Sequence, residues 1–338
     1  NINSLIYLVI FLIYEYMLIK VYLRLKIEKN CDRVSIFVIL SLVPLVISRI
    51  LPILEIYYKF GFLGISYITF KVMQILVEIK DNMIKEVNFI DYLSFMIFFP
   101  TLSSGPIDRS RRFDEDIDKI IPRDEYLELL GEGIYKILKG MVYKMVIAAC
   151  FYTVMNYFGT GGTWYSIAIY FYIYGVYLFF DFAGYSNMAI GASYIFGVRT
   201  PENFNAPFVS KDIKEFWNRW HMTLSFWFRD FLFSRITMAL VRTRKIKNKL
   251  VIATIAFMIN MFVMGVWHGL ELNYIVYGLY HGVLLSACEI FQKKSKFYKA
   301  HKKDKWFIGV SWFITLHLVM FGFFIFSGRL GILLSNQG

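Results

Sequence analysis

Charge is what this sequence has least of for its size. Lys, Arg, Asp and Glu make up 18% of its 338 residues, against about 25% in an ordinary soluble domain. Cysteine is nearly missing too. Cys31, Cys150 and Cys288 form no CxxC pair, which argues against a zinc ribbon and a disulfide framework. Cys150 and Cys288 fall in apolar runs, where a buried, inert thiol is expected. There is no P-loop, no GxGxxG, no serine-histidine-aspartate elbow and no HExxH, so no metal site on one helix is expected. No internal repeat appears, and no polar stretch is long enough for a soluble domain. The first apolar run lacks a small-residue cleavage site, so it is expected to be a retained span and not a removed signal peptide.

What is present is apolar. Hydrophobic residues make up 57% of the chain and aromatics 19%. Runs at 5–23, 35–54, 164–182, 250–267, 273–291 and 306–326 approach or reach the roughly 20 residues that cross a bilayer. The first contains Glu15 and the second Pro44. The stretch 61–77, broken by Gly64, Ser66, Thr69 and Lys71, reads as a kinked or partly buried helix. Another apolar stretch, 87–102, ends near Pro100, and residues 103–123 read as a charged loop. Residues 126–158 read as one long helix, broken at 159–162. The span 164–182 is expected to end near Asp181, just before Gly184. Region 183–233 is rich in Gly, Pro and Asn, yet 214–231 has helical periodicity with Phe216, Trp220, Thr223, Trp227 and Phe231 on one stripe. That segment is too polar for a lipid-facing span and suits an interfacial or enclosed helix. The expected fold class is all-α: a polytopic, multi-pass membrane protein, one integral membrane domain over 1–338.

The formal net charge is +12. The basic residues gather in short loops: Arg24, Lys26, Lys29 and Arg33; then 242–249; then 293–305 with seven lysines. This is the positive-inside pattern. The charge therefore reads as topology, not as nucleic-acid binding. It places the three loops in the cytoplasm, the N-terminus outside and His268 near the outer turn of the hairpin 250–291.

Five histidines are present. Ionisable residues at membrane depth are costly and mark function by default, and histidine moves protons near neutral pH. His221, His268 and His281 each sit beside polar or glycine residues within apolar sequence, in Arg219-Trp220-His221, Trp267-His268-Gly269 and Tyr280-His281-Gly282. The plain alternative is a neutral ring bonded to a neighbouring helix. His301 reads as solvated and His317 as packing. Asp181, Tyr185, Ser186 and Asn187 form a further polar cluster. Arg109, Arg111 and Arg112 suit an anionic head group, or else pair with Asp114, Glu115 and Asp116.

These words together resemble the membrane-bound O-acyltransferase (MBOAT) family, and in particular its bacterial D-alanyl-transfer branch. They are Phe98-Phe99-Pro100, Ser104-Gly105-Pro106-Ile107-Asp108-Arg109, Phe180-Asp181-Phe182-Ala183-Gly184-Tyr185-Ser186, Thr200-Pro201-Glu202-Asn203-Phe204-Asn205-Ala206-Pro207-Phe208, Phe216-Trp217-Asn218-Arg219-Trp220-His221, Trp227-Phe228-Arg229-Asp230 and Trp267-His268-Gly269. They cover roughly residues 60–290. The resemblance implies a bundle around a central tunnel in a plasma membrane. It maps the family's invariant histidine onto His268 and its second polar position onto His221. Trp267, Asp181, Tyr185, Ser186, Asn218, Trp220 and His281 are then expected along the tunnel.

The branch further implies D-alanine carried as a thioester on the 4'-phosphopantetheine of a small acidic carrier protein, with a hydroxyl of lipoteichoic acid as acceptor. No cofactor of the chain's own is implied, and other membrane proteins of D-alanylation are expected partners. Lys211 and Lys214 are candidates for docking the carrier, or for touching anionic lipid. Two other functions remain compatible with the residues. One is an O-acetyltransferase for an exported polysaccharide. The other is a transporter of a lipid-linked precursor, which broken helices and buried histidines also fit.

Overall fold

In hydrocarbon every backbone N–H and C=O has to be satisfied within the chain, so apolar runs of this length fold as helices. The computed structural model describes residues 2–30, 32–54, 61–159 and 162–335, and among them there is no strand. In chain order the helices are α1 (Ile2–Lys29), α2 (Val34–Ile50), α3 (Ile65–Lys80), α4 (Phe89–Ile97), α5 (Ser110–Ile117) and α6 (Arg123–Met141). A π-helical stretch, Val142–Ala148, leads into α7 (Ala149–Gly159). Then come α8 (Trp164–Ile195), α9 (Ile213–Trp217), α10 (Met222–Phe228), α11 (Ser234–Thr243) and α12 (Lys249–His268). The last are α13 (Leu272–Lys294), α14 (Lys296–His301), α15 (Lys305–Phe326) and α16 (Arg329–Ser335). Among the described residues six helical stretches are long and apolar enough to cross a membrane. The protein is a multi-pass membrane protein.

The described chain divides into two compact units. The first holds residues 1–139 and 185–201; the second holds 140–184 and 202–338. In the first unit, Phe11, Ile19 and Tyr22 of α1 bury against Ile68, Val72 and Leu76 of α3 and Phe95 and Met96 of α4. The Tyr92 hydroxyl donates to the Leu12 carbonyl at 2.9 Å and fastens α4 to α1. Helix α3 starts after Gly64, whose φ of +94° and contact with the Leu102 carbonyl leave no room for a side chain.

Lys71, expected to interrupt this stretch, is instead enclosed and only 1% exposed. Its ammonium donates to the Phe95 carbonyl at 2.7 Å and to Thr101 Oγ1 at 2.9 Å, and it lies 4.6 Å from the Phe95 ring centre. The charged loop after Ser103 also holds more order than the sequence implied, because α5 forms inside it. Arg112 is bonded to Asp108, to Asp116 at 2.7 Å and to the Arg199 carbonyl. Asp116 in turn accepts from the Arg199 N–H at 2.8 Å.

In the second unit, α12 and α13 form a hairpin whose backbones touch at Gly265 and Gly278. A β-carbon on Gly278 would stand 2.3 Å from the Met261 carbonyl, and one on Gly265 would stand 2.5 Å from that of Tyr274. Asn248 caps α12 by accepting from the Leu250 N–H at 2.9 Å. Helix α15 packs along α13.

Two sequence expectations are corrected here. The span at 164 does not end near Phe182: α8 continues for 32 residues, with Asp181 well inside it. Gly184 lies inside α8. Its bare Cα lets Lys144 and Gly140 come close, since a β-carbon there would meet the Lys144 nitrogen at 2.7 Å. The periodic segment 214–231 is likewise not one helix. It breaks between α9 and α10, because the Met222 N–H bonds to the Asn203 carbonyl at 2.8 Å and the Asn205 N–H to the Arg219 carbonyl at 2.9 Å.

The cysteines also differ from expectation. Cys150 is exposed on the protein surface and Cys288 is half-buried, while Cys31 lies outside the described residues. His301, expected to be solvated, ends α14, pairs with Asp304 at 2.7 Å and packs on Phe297 and Trp306.

Candidate functional site

The break between α9 and α10 positions a histidine. His221 takes the left-handed backbone conformation, φ 43° and ψ 53°, at the N-terminus of α10. Non-glycine residues rarely adopt it. The conformation is held from both sides: before it the Arg219 carbonyl accepts from the Asn205 N–H, and after it Asn203 accepts from the Met222 N–H and, through Oδ1, from the Thr223 hydroxyl at 2.6 Å. His221 is 4% exposed and sits edge-on to Phe182 at 4.6 Å. Its Nε2 has no hydrogen-bond partner among the described residues. Burial, and then the neighbouring His268, hold its pKa well below the ordinary imidazole value, so the ring is neutral at physiological pH.

His268 is the last residue of α12, and the chain turns away at Gly269. The ring is half-buried and surrounded by aromatic rings: Trp267 at 4.8 Å, Phe326 at 5.2 Å, and Tyr274 and Tyr277 at 6.4 Å. Tyr277 then stands 4.6 Å from the ring of His281. His281 is completely buried, and its Nδ1 accepts from Trp217 Nε1 at 3.3 Å. The neutral ring therefore carries its proton on Nε2, which faces the bare Cα of Gly322. The second unit thus brings three of the sequence's histidines into one aromatic-lined region. Trp220 forms part of its wall, packed on Phe216, Phe204 and Phe323.

Other expected site residues of this unit have internal tasks. Asp181 forms an ion pair with Lys144. Lys214 is bonded to Glu289 and, at 2.9 Å, to Gln292. Asn218 lines a cavity of about 240 Å³ with Lys214, Trp217, Arg229 and Asn260. Lys211 is exposed, and its backbone N–H bonds Glu215 at 3.1 Å.

Tyr185, Ser186 and the arginines belong to the first unit. The Tyr185 and Ser103 hydroxyls are 2.9 Å apart, and Ser186 is buried. Arg112 is committed to its carboxylates, the Arg109 N–H donates to Asp108 at 2.7 Å, and Arg111 is exposed. Sequence reasoning did not single out Tyr277, Lys144 or Asn260. Only Tyr277 left a signal, four residues before His281 and so on the same helical face. Among the described residues no group of three or more His, Cys, Asp or Glu could hold a metal ion.

Chemically, two imidazoles in a water-poor aromatic setting can take a proton from a hydroxyl and donate a hydrogen bond to a developing oxyanion. Residues 76–328 match the membrane-bound O-acyltransferase family. The chain is 44% identical over 97% of its length to a teichoic acid D-alanyltransferase of Bacillus subtilis, covering 86% of that protein. It is 41% identical over 86% of its length to a teichoic acid D-alanyltransferase of Streptococcus thermophilus, covering 74%. To a probable alginate O-acetylase of Pseudomonas aeruginosa it is 30% identical over 79% of its length, covering 49% of that protein.

Proposed function

This chain belongs to the membrane-bound O-acyltransferase family, and from that premise we propose that it is the acyltransferase that places D-alanine on teichoic acid. The observation that carries the chemistry is His268, presented at the tip of the α12–α13 hairpin beside a neutral, buried His221. The donor is a D-alanyl thioester on the phosphopantetheine arm of a carrier protein, and the acceptor is a hydroxyl of the polymer or of a linked carrier of it.

His268 acts as general base. It takes the hydroxyl proton as the oxygen attacks the thioester carbonyl, an effect worth about 10² to 10⁴-fold in rate. Nε2 of His221, in the tautomer that carries a proton there, donates to the oxyanion of the tetrahedral intermediate, and a preorganised donor of this kind is worth roughly 3 kcal/mol. The C–S bond then breaks, the ester forms, and the leaving thiolate recovers the proton from His268. The aromatic walls exclude water that would otherwise hydrolyse the thioester. The two relatives named as teichoic acid D-alanyltransferases support D-alanine as the group transferred. The probable alginate O-acetylase, matched at lower identity and across 49% of its own length, supports an acetyl donor as the second reading.

The two readings part in one experiment. The protein is reconstituted in vesicles with teichoic acid and given either carrier loaded with labelled D-alanine or a labelled acetyl thioester. Label moving from the D-alanyl carrier into polymer is the expected result. Acetyl transfer with no D-alanyl transfer would overturn the proposal in favour of the second reading.

A further inference from the structure

Away from the histidines, the second unit carries a larger cavity, of about 540 Å³. That volume is in the range that holds a sizeable organic ligand. One wall is a single face of α13, formed by Leu284, Ala287, Cys288 and Phe291, at the three- and four-residue spacing that puts side chains on one stripe. The opposite wall is the matching stripe of α15, with Phe307, Ile314 and Leu318. Both helices are long and apolar enough to cross a membrane, so the groove runs along the hydrocarbon layer. From Trp306 to Leu318 it is about 18 Å long at 1.5 Å per residue.

One end is different. There α14 closes over the groove with Tyr298, and Lys211 and Lys302 line it beside Trp306. Three carboxylates lie close by, and each has hydrogen-bond partners within the chain. Asp212, itself in the lining, accepts from Gln292 Nε2 at 3.1 Å and from the Glu215 N–H at 2.9 Å. Glu289 binds Lys214, and Asp304 binds His301. Lys211 and Lys302 are exposed, and among the described residues neither makes an ion pair. Trp306 and Tyr298 are the residue types that anchor at the membrane–water boundary. A greasy slot with two lysines at its interfacial end is complementary to one kind of molecule: acyl chains joined to a phosphate.

We propose that the α13–α15 groove is a binding site for an anionic phospholipid, with its acyl chains along Leu284, Phe291, Ile314 and Leu318 and its phosphate between Lys211 and Lys302. The basic ends of α13 and α15 place this site in the cytoplasmic leaflet. It lies at the end of α13 away from the hairpin tip that carries His268. The inference does not depend on the acyl donor.

The test uses the full chain purified in mild detergent and measured by native mass spectrometry. Phosphatidylglycerol or phosphatidylcholine, matched in acyl chains, is titrated in. The expected result is one tightly held phosphatidylglycerol, retained at least tenfold better than phosphatidylcholine. Lys211→Gln combined with Lys302→Gln should abolish that preference. Ser311→Trp, which fills the slot between the stripes, should abolish retention of either lipid. Lys247→Gln, on a basic loop away from the groove, is the control for net charge and should change nothing. Equal retention of the two lipids by the unaltered protein would overturn the proposal. So would a phosphatidylglycerol preference that survives the double lysine variant, or that Lys247→Gln reduces equally. Because the readout is bound lipid, its failure leaves the transfer activity unaffected and is distinguishable from a failure of the functional reading.

Discussion

Around Lys71 and Arg112, buried charge ends in bonds. The ammonium has a carbonyl and a hydroxyl, and Asp108, which is completely buried, has the Arg112 guanidinium and the Arg109 N–H. Around the histidines, buried polar atoms end in nothing the described residues supply: Nε2 of His221, Nε2 of His281 and Oδ1 of Asn260. A buried polar group without a partner costs about 1–3 kcal/mol. The first region spends its polar groups on holding α3, α4 and α5 together. The second leaves them unbonded, and the proposed reaction draws on one of them, Nε2 of His221. On the proposed function, stability and chemistry fall to different residues, and substitution can separate them.

The largest separation is expected from His268→Ala. Transfer measured with labelled carrier should fall about 10² to 10⁴-fold, with no drop in the unfolding midpoint in detergent. A folded variant with full activity would remove His268 from the chemistry. Lys71→Met should do the opposite. It leaves the Phe95 carbonyl and the Thr101 hydroxyl without their buried donor, so stability should fall by about 3 kcal/mol while the folded fraction still turns over. Thermal unfolding followed by tryptophan fluorescence checks it.

His221 should show both effects at once. His221→Asn and His221→Ala should each lose about 10²-fold in transfer rate. Asparagine tolerates the left-handed backbone and alanine does not, so only His221→Ala should also lose about 1 kcal/mol of stability. Equal stability of the two would mean that the backbone at 221 is not under that constraint.

The smallest effect lies outside the membrane. Burial first, then the carboxylates of Asp91, Asp118, Glu78 and Glu115, push Asp114 from an ordinary 3.8 up to about 6. A carboxyl raised in this way favours the fold when protonated. Its contribution is full at acid pH and is lost as pH climbs from near 4 through 6. Asp114→Asn should flatten the dependence of the unfolding midpoint over that window, and an unchanged slope would assign the dependence to another group.

How much of this could be read from the chain alone differs by element. The hairpin carrying His268 was legible, because two unbroken apolar runs with basic outer ends leave only one way to lie in a bilayer. Helix α8 was misjudged, because glycine stops helices in water but in a membrane marks where another backbone comes close, as Lys144 does at Gly184. The break before His221 was invisible: the aromatic stripe keeps its period from Phe216 to Phe231 while the backbone does not. What breaks it is bonding from Asn203 and Asn205, and no local pattern announces it. Lys71 read as an interruption because its partners lie 24 and 30 residues away.

The glycine contact inside the α12–α13 hairpin also bears on how the protein is made. Backbones this close leave no space for a lipid chain between them, and the turn joining them is only residues 269–271. Two spans tied so tightly enter the bilayer together, with Lys249 and Lys293 staying behind on the side of synthesis. His268 then rides across at the leading tip. The side from which His268 is reached is then settled during biogenesis, before any substrate is met.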